Sequence, residues 1–297
     1  MKESETKSSP PNNKTRKPSL WTVLKRLVIA GASIYLGALA VVFLLQRKFL
    51  YHPPVFSAEA VEQMGTSKGL VRWRNSSGDM VGWKRASPVQ PARGSILITH
   101  GNAGCAFHCS HYADVIQQAA SFDVFVAEYP GYADHPGSPT EKSLNESALK
   151  AFAALPTDKL VYVVGESLGN GVAAYLAAQF PDRIAGMALL APYKHMADVA
   201  QSHMPIFPVH WMLLDRYPAA DYLLKYHGPV AIFVGGRDQV IPEKNGRGLF
   251  ESYAGPKKLW AYPEADHGSV MGQSAEVWKQ IIEFWDAHDS KPKVSAL

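Results

Sequence analysis

The sequence predicts an α/β fold, with a mostly parallel central sheet, helices on both faces and a small cap. Three observations point there. From about residue 50 onward, short β-branched apolar runs alternate with helical stretches. The runs are near-continuously apolar rather than alternating, which marks strands buried on both faces. The 297 residues are 47% hydrophobic and 19% charged, a globular composition whose length fits one large domain or two small ones.

The elements follow in order. Val71–Arg74 and Val81–Arg85 flank Asn-Ser-Ser-Gly-Asp and read as a hairpin. Ser95–His100 reads as a buried strand, followed by a Gly-containing turn and one helix from about Cys105 to Ala120. Phe122–Glu128 is the next strand, ended by Tyr-Pro-Gly-Tyr, and Ser143–Leu155 the next helix. Strand Leu160–Gly165, helix Leu168–Phe180 and strand Ala185–Leu190 come after. Strand Val230–Gly235, helix Lys244–Tyr253, strand Lys258–Tyr262 and helix Ala275–His288 complete the pattern. Right-handed crossovers place successive helices on the two faces. Residues 192–228, rich in Pro, Met, Trp, Tyr and His, break the rhythm and are the candidate cap.

The N-terminal part has another character. Residues 1–20 are polar with three prolines and read as a disordered tail. Leu27–Leu45 follows, 19 residues without a charge, long enough at about 1.5 Å per residue to cross a hydrocarbon core of about 30 Å. Trp21 and Tyr51 flank it, and Lys25, Arg26, Arg47 and Lys48 mark its ends, so residues 21–46 read as a transmembrane signal-anchor helix. A buried core helix would rarely be apolar all round. Ala38-Leu39-Ala40 has the form of a signal-peptide cleavage site, but the apolar run continues beyond it, as in an uncleaved anchor. Seven basic residues precede the span, which places the tail in the cytoplasm and the folded domain, residues 50–290, on the far side. The first 49 residues carry nine Lys/Arg against two Glu, a net +7, and the rest a net −3. A mildly acidic folded part has no electrostatic footprint for nucleic acid.

The chemistry is concentrated at strand ends. Gly165-Glu166-Ser167-Leu168-Gly169 is G-x-S-x-G between a strand and a helix. Such a turn is so tight that the residues two before and two after the serine are expected to crowd each other, hence the glycines. Ser167 is the candidate nucleophile, and it needs a base. Asp238 lies on the loop after strand Val230–Gly235, and His267 on the loop after strand Lys258–Tyr262. The chain order Ser, Asp, His and the convergence of strand ends make the candidate triad Ser167, Asp238 and His267. A tetrahedral oxyanion needs two amide donors. Leu168 N–H supplies one, and the turn His100-Gly101-Asn102-Ala103-Gly104 the other, assigned to Asn102 with Ala103 as the neighbouring alternative.

These motifs resemble the serine-hydrolase branch of the α/β-hydrolase superfamily, and more narrowly its members with an N-terminal membrane anchor and an H-G-N-A-G oxyanion loop. The resemblance runs from about Lys48 to Asp286 and takes in Tyr129-Pro130-Gly131-Tyr132 and Gly235-Gly236-Arg237-Asp238. It implies an α/β-hydrolase fold. Serine at 167 departs from the dehalogenase and epoxide-hydrolase relatives, which use Asp there. The family spans esterases, lipases, depalmitoylating thioesterases and peptidases, so it leaves the substrate open.

Cys105, His108, Cys109 and His111 depart from what the family leads one to expect. They read as two small apolar cysteines near the core, with a helical disulfide or a zinc site as alternatives. Asn75-Ser-Ser and Asn145-Glu-Ser fit the N-glycosylation pattern, which matters only in a eukaryotic secretory lumen.

The expectation is a membrane-anchored serine hydrolase that cleaves small-molecule or lipid acyl esters or thioesters through an acyl-enzyme, with no metal or organic cofactor required. A serine peptidase of the same fold and a non-catalytic scaffold binding an apolar ligand or partner are the alternatives. Within the cap, Trp211 and Met212 are the candidate substrate-binding residues, lining an acyl-chain pocket that faces the bilayer, with a cap that packs its apolar side onto the core as the alternative. Medium or longer acyl esters should then be preferred over acetate, and the effect of Trp211→Ala should grow by about 0.8 kcal/mol per CH₂.

Overall fold

The computed structural model describes residues 19–288, so the expected tail falls almost wholly outside the described residues. The chain divides into two units, residues 1–45 and 46–297. Helix α1 (Leu20–Leu50) has a mean hydropathy of 2.4 in its most apolar window and is long and apolar enough to cross a membrane. It runs four residues past the expected end at 46, and its last turn belongs to the second unit.

After that turn the second unit continues with α2 (Ala58–Ser67), for which there was no expectation from sequence. Ser57 Oγ caps it by accepting from Ala60 N at 3.3 Å. Strands β1 (Val71–Arg74) and β2 (Met80–Arg85) form the expected hairpin. Asn75 Oδ1 closes its turn by accepting from Ser77 N and Asp79 N. Next come β3 (Gly94–Thr99), α3 (Ser110–Ala119), β4 (Phe122–Ala127), α4 (Glu141–Ala153), β5 (Val161–Glu166), α5 (Gly169–Gln179) and β6 (Ile184–Leu190). Residues 192–228 lie outside the sheet and carry α6 (Met196–His203), α7 (Val209–Met212) and α8 (Ala219–Leu223). The described residues close with β7 (Val230–Gly235), α9 (Glu243–Ser252), β8 (Lys257–Tyr262), α10 (His267–Met271) and α11 (Ala275–His288).

The eight strands are ordered β1-β2-β4-β3-β5-β6-β7-β8. Only the pairings of β2, with β1 and with β4, are antiparallel. Successive residues of β3 divide between two apolar clusters. Leu97 joins Leu168, Val172 and Leu189 on one face. Ile96 and Ile98 join Phe107, Tyr112, Trp278 and Trp285 on the other. Both faces are covered, which is why the strands read as continuous apolar runs.

Two expectations need correction. The helix expected from Cys105 starts at Ser110, after a 3₁₀ turn over Ala106–Cys109. Cys105 is extended, and Ala106 N donates to the buried Glu128 carboxylate at 3.0 Å instead of entering an α-helical ladder. Both cysteines are free and buried in the second apolar cluster, and burial raises both thiol pKa values. Asn145 is only 6% exposed, so its glycosylation pattern is closed to a glycan.

Candidate active site

Strand β5 delivers the chain into a strained turn. Ser167 has φ +50°, in the left-handed region that an ordinary side chain avoids. The turn is held from both sides. Ser167 N donates to Leu190 O at 3.0 Å. The Asn170 amide, fully buried, donates to Ser167 O, Leu190 O and Ala191 O. Thr99 Oγ1 contacts Val164 O at 3.1 Å and Gly169 O at 2.9 Å, tying β3 to the turn.

The glycines have a different reason from the one expected. A Cβ at Gly165 would stand 2.9 Å from Asn170 Cα, and one at Gly169 would overlap the carbonyl of Thr99. The crowding comes from the first turn of α5 and the end of β3, not from the two glycines pressing on each other.

Ser167 Oγ lies 3.0 Å from His267 Nε2, and His267 Nδ1 lies 2.7 Å from Asp238 Oδ2. The other Asp238 oxygen accepts from Val240 N at 2.9 Å and Ile241 N at 2.8 Å, which aims the carboxylate. The Asp238 side chain is 1% exposed and that of His267 23%. His267 is thus held by a buried carboxylate on one side and is partly exposed on the other.

Gly236 lets the two loops meet, because any Cβ there would overlap Pro263. Arg237 N donates to Ala265 O at 3.0 Å, and the Arg237 side chain pairs with Glu264. His267 opens α10, whose N-cap is Asp266. Hydrogen bonds from the Ser269 hydroxyl and amide, with a smaller contribution from the neighbouring His267, hold the Asp266 carboxyl below its usual range.

The turn after β3 lies against the serine. A Cβ on Gly101 would sit 3.4 Å from Ser167 Cβ. Among the described residues, neither Asn102 N–H nor Leu168 N–H has a protein acceptor. Behind the turn, His100 Nδ1 lies 2.8 Å from Gly101 O and its Nε2 lies 3.0 Å from Glu128 Oε1, with both side chains 1% exposed. Both ring nitrogens of His100 thus face acceptor oxygens.

Sequence reasoning found Ser167, Asp238, His267 and the turn, and the fold brings them together. It missed Asn170, Thr99 and Glu128. A carboxylate ending an otherwise apolar strand was the available signal for Glu128. Of the two residues expected to line an acyl pocket, Trp211 is 89% exposed. Met212 is half-buried, and its carbonyl accepts from Gln46 Nε2 at 3.3 Å.

A family model described as the alpha/beta hydrolase fold matches residues 94–221. Alpha/beta hydrolase domain-containing protein 17B of Homo sapiens is 30% identical over 221 residues, covering 70% of this chain and 73% of that protein. The chain belongs to the α/β-hydrolase superfamily. Lysophosphatidylserine lipase ABHD12 of Danio rerio is 28% identical to this α/β hydrolase over 209 residues, 63% of this chain and 54% of that protein. Among solved structures, Est1E from Butyrivibrio proteoclasticus with ferulic acid bound superposes with a TM-score of 0.61 at 17% identity, over 73% of this chain and all of that one. That likeness speaks to the fold alone. The relatives support hydrolase activity.

Proposed function

We propose that this α/β hydrolase is a membrane-anchored serine hydrolase that cleaves carboxylic esters or thioesters through an acyl-enzyme. The observation that carries the reading is the continuous run from the strained Ser167 through His267 to the buried Asp238. Ser167 Oγ attacks the acyl carbonyl while His267 Nε2 takes its proton. The oxyanion accepts from Leu168 N–H and Asn102 N–H, which have no protein acceptor to give up and so cost little reorganisation. The bond to the alkoxide or thiolate breaks as His267 returns the proton to the leaving group. Water then attacks the acyl-enzyme, giving one proton to His267. The acyl–Oγ bond breaks, and that proton restores the Ser167 hydroxyl. Asp238 holds the His267 tautomer and stabilises its charged form. No step calls for a metal or organic cofactor.

The substrate class is a small-molecule or lipid acyl ester, a reading supported by the lipase named among the relatives. Residues 21–46 anchor the chain, the hydrolase domain spans 50–290 with its cap at 192–228, and the basic N-terminal flank puts that domain on the non-cytoplasmic side. The test is turnover of 4-nitrophenyl butyrate by the full-length protein in detergent. Ser167→Ala and His267→Ala should each lose at least about 10³-fold in kcat. Wild-type turnover by Ser167→Ala would overturn the reading.

A further inference from the structure

Residues 46–52 are stitched into the rest of the second unit by side-chain hydrogen bonds and an ion pair. Gln46 Nε2 donates to Met212 O at 3.3 Å, and Gln46 Oε1 accepts from Leu214 N at 2.8 Å. Arg47 pairs with Asp215 at 2.9 Å, and Asp215 also accepts from Glu141 N. Tyr51 and Tyr217 share a buried hydroxyl contact of 2.8 Å. From the opposite side, Asn102 Nδ2 donates to Leu50 O at 2.5 Å and lies 3.1 Å from His52 Nδ1. Asn102 Oδ1 accepts from His52 N at 3.0 Å and from the Tyr132 hydroxyl at 2.9 Å.

We propose that the Asn102 carboxamide is a positioning group for the oxyanion hole, and that residues 50–52 are the fixed rail it grips. The inference rests on the hydrolase reading above and adds to it a part for the chain that follows the apolar helix. The carboxamide has two donor and two acceptor sites, and all four face a partner here. Two of those partners, Leu50 O and His52 N, flank Tyr51 as a neighbouring strand would. The turn itself, Gly101-Asn102-Ala103-Gly104, has a glycine at each end and little intrinsic stiffness. An oxyanion donor contributes only if it is already aimed when charge develops. With the carboxamide locked, the N–H of the same residue is aimed, although the Asn102 side chain touches no reacting atom. Because residues 46, 47 and 51 also grip residues 212–217, the cap and the oxyanion turn share one support.

The test uses the full-length protein in detergent, a 4-nitrophenyl ester, and an acyl trifluoromethyl ketone as a tetrahedral-adduct analogue. Asn102→Ala keeps the backbone N–H and loses the grip. It should lower kcat by about 10- to 100-fold, leave KM within about twofold, and weaken the ketone by the same factor as kcat. His52→Ala keeps the residue-52 N–H but takes away the ring nitrogen that faces Asn102 Nδ2, so it should show a smaller loss than Asn102→Ala, in kcat and ketone affinity together. His52→Pro removes that N–H and should reproduce part of the loss. If His52→Pro does not fold, Tyr132→Phe removes one Oδ1 bond and should show a smaller loss in kcat and ketone affinity together. Wild-type kcat in Asn102→Ala overturns the proposal, as does a kcat loss with unchanged ketone affinity or a change in KM alone. A wild-type protein that neither turns over ester nor binds the ketone overturns the hydrolase reading itself, and this proposal with it.

Discussion

Gly169 packs so closely under Thr99 that no other residue fits there: a Cβ would overlap the Thr99 carbonyl. The contact seats α5 against the end of β3 and thereby fixes where Ser167 stands. Gly169→Ala should therefore destabilise the domain, although alanine is the better helix former by about 1 kcal/mol. Backbone overlap costs more than that, and a net loss of about 2 kcal/mol is expected. Denaturant midpoints of the two proteins check it, and Ser167 in the variant should react more slowly with a fluorophosphonate.

Asn170 holds three carbonyls around the serine turn. Asn170→Ala removes a buried donor and should cost about 1–3 kcal/mol. The turn should relax from its positive φ, so kcat should fall while KM for a short ester stays. Thermal unfolding and steady-state kinetics read the two effects separately.

The Asp123–Lys159 pair, at 2.7 Å and mostly buried, gives a pH-dependent contribution to stability. Burial opposes the Asp123 charge, but the hydrogen bond from Lys159, those from Ser87 N and Gln90, and the Lys159 charge outweigh it. The carboxyl is held below its usual range. A depressed folded pKa means the stabilisation is complete above the unfolded value near 4 and is lost as pH falls through the folded one. Lys159→Met should cost about 1–2 kcal/mol at neutral pH. The gap to wild type should close in acid, and a gap that stays constant from pH 7 to pH 3 would contradict this.

Trp211 is exposed, and Trp211→Ala should change stability by no more than about 0.5 kcal/mol. Its rates on soluble acetyl to decanoyl esters should run parallel to wild type. An effect that grows with chain length would instead support an acyl-lining role for this residue.

Much of this was legible in the sequence for physical reasons. Strands buried on both faces leave continuous apolar runs, so β3 to β8 read within a residue or two at most ends. The serine turn, Asp238 and His267 announce themselves because each follows such a run. What stayed hidden depends on contacts between distant segments. Nothing near residue 102 reveals that its carboxamide binds residues 50 and 52, and nothing in Trp211 reveals that its ring is exposed. The short α10 is invisible to periodicity because five residues make barely one turn and its signal is the single cap Asp266. The 3₁₀ entry to α3 needed the position of Glu128, across the fold.

The proposed chemistry depends on Ser167 being a nucleophile activated by His267. The most direct measurement is peptide mapping by mass spectrometry after the full-length protein has been treated with a fluorophosphonate. One stoichiometric adduct is expected, on the peptide containing Ser167, absent in Ser167→Ala and strongly slowed in His267→Ala. An unlabelled wild-type protein, or an adduct at another serine that persists in Ser167→Ala, would contradict it.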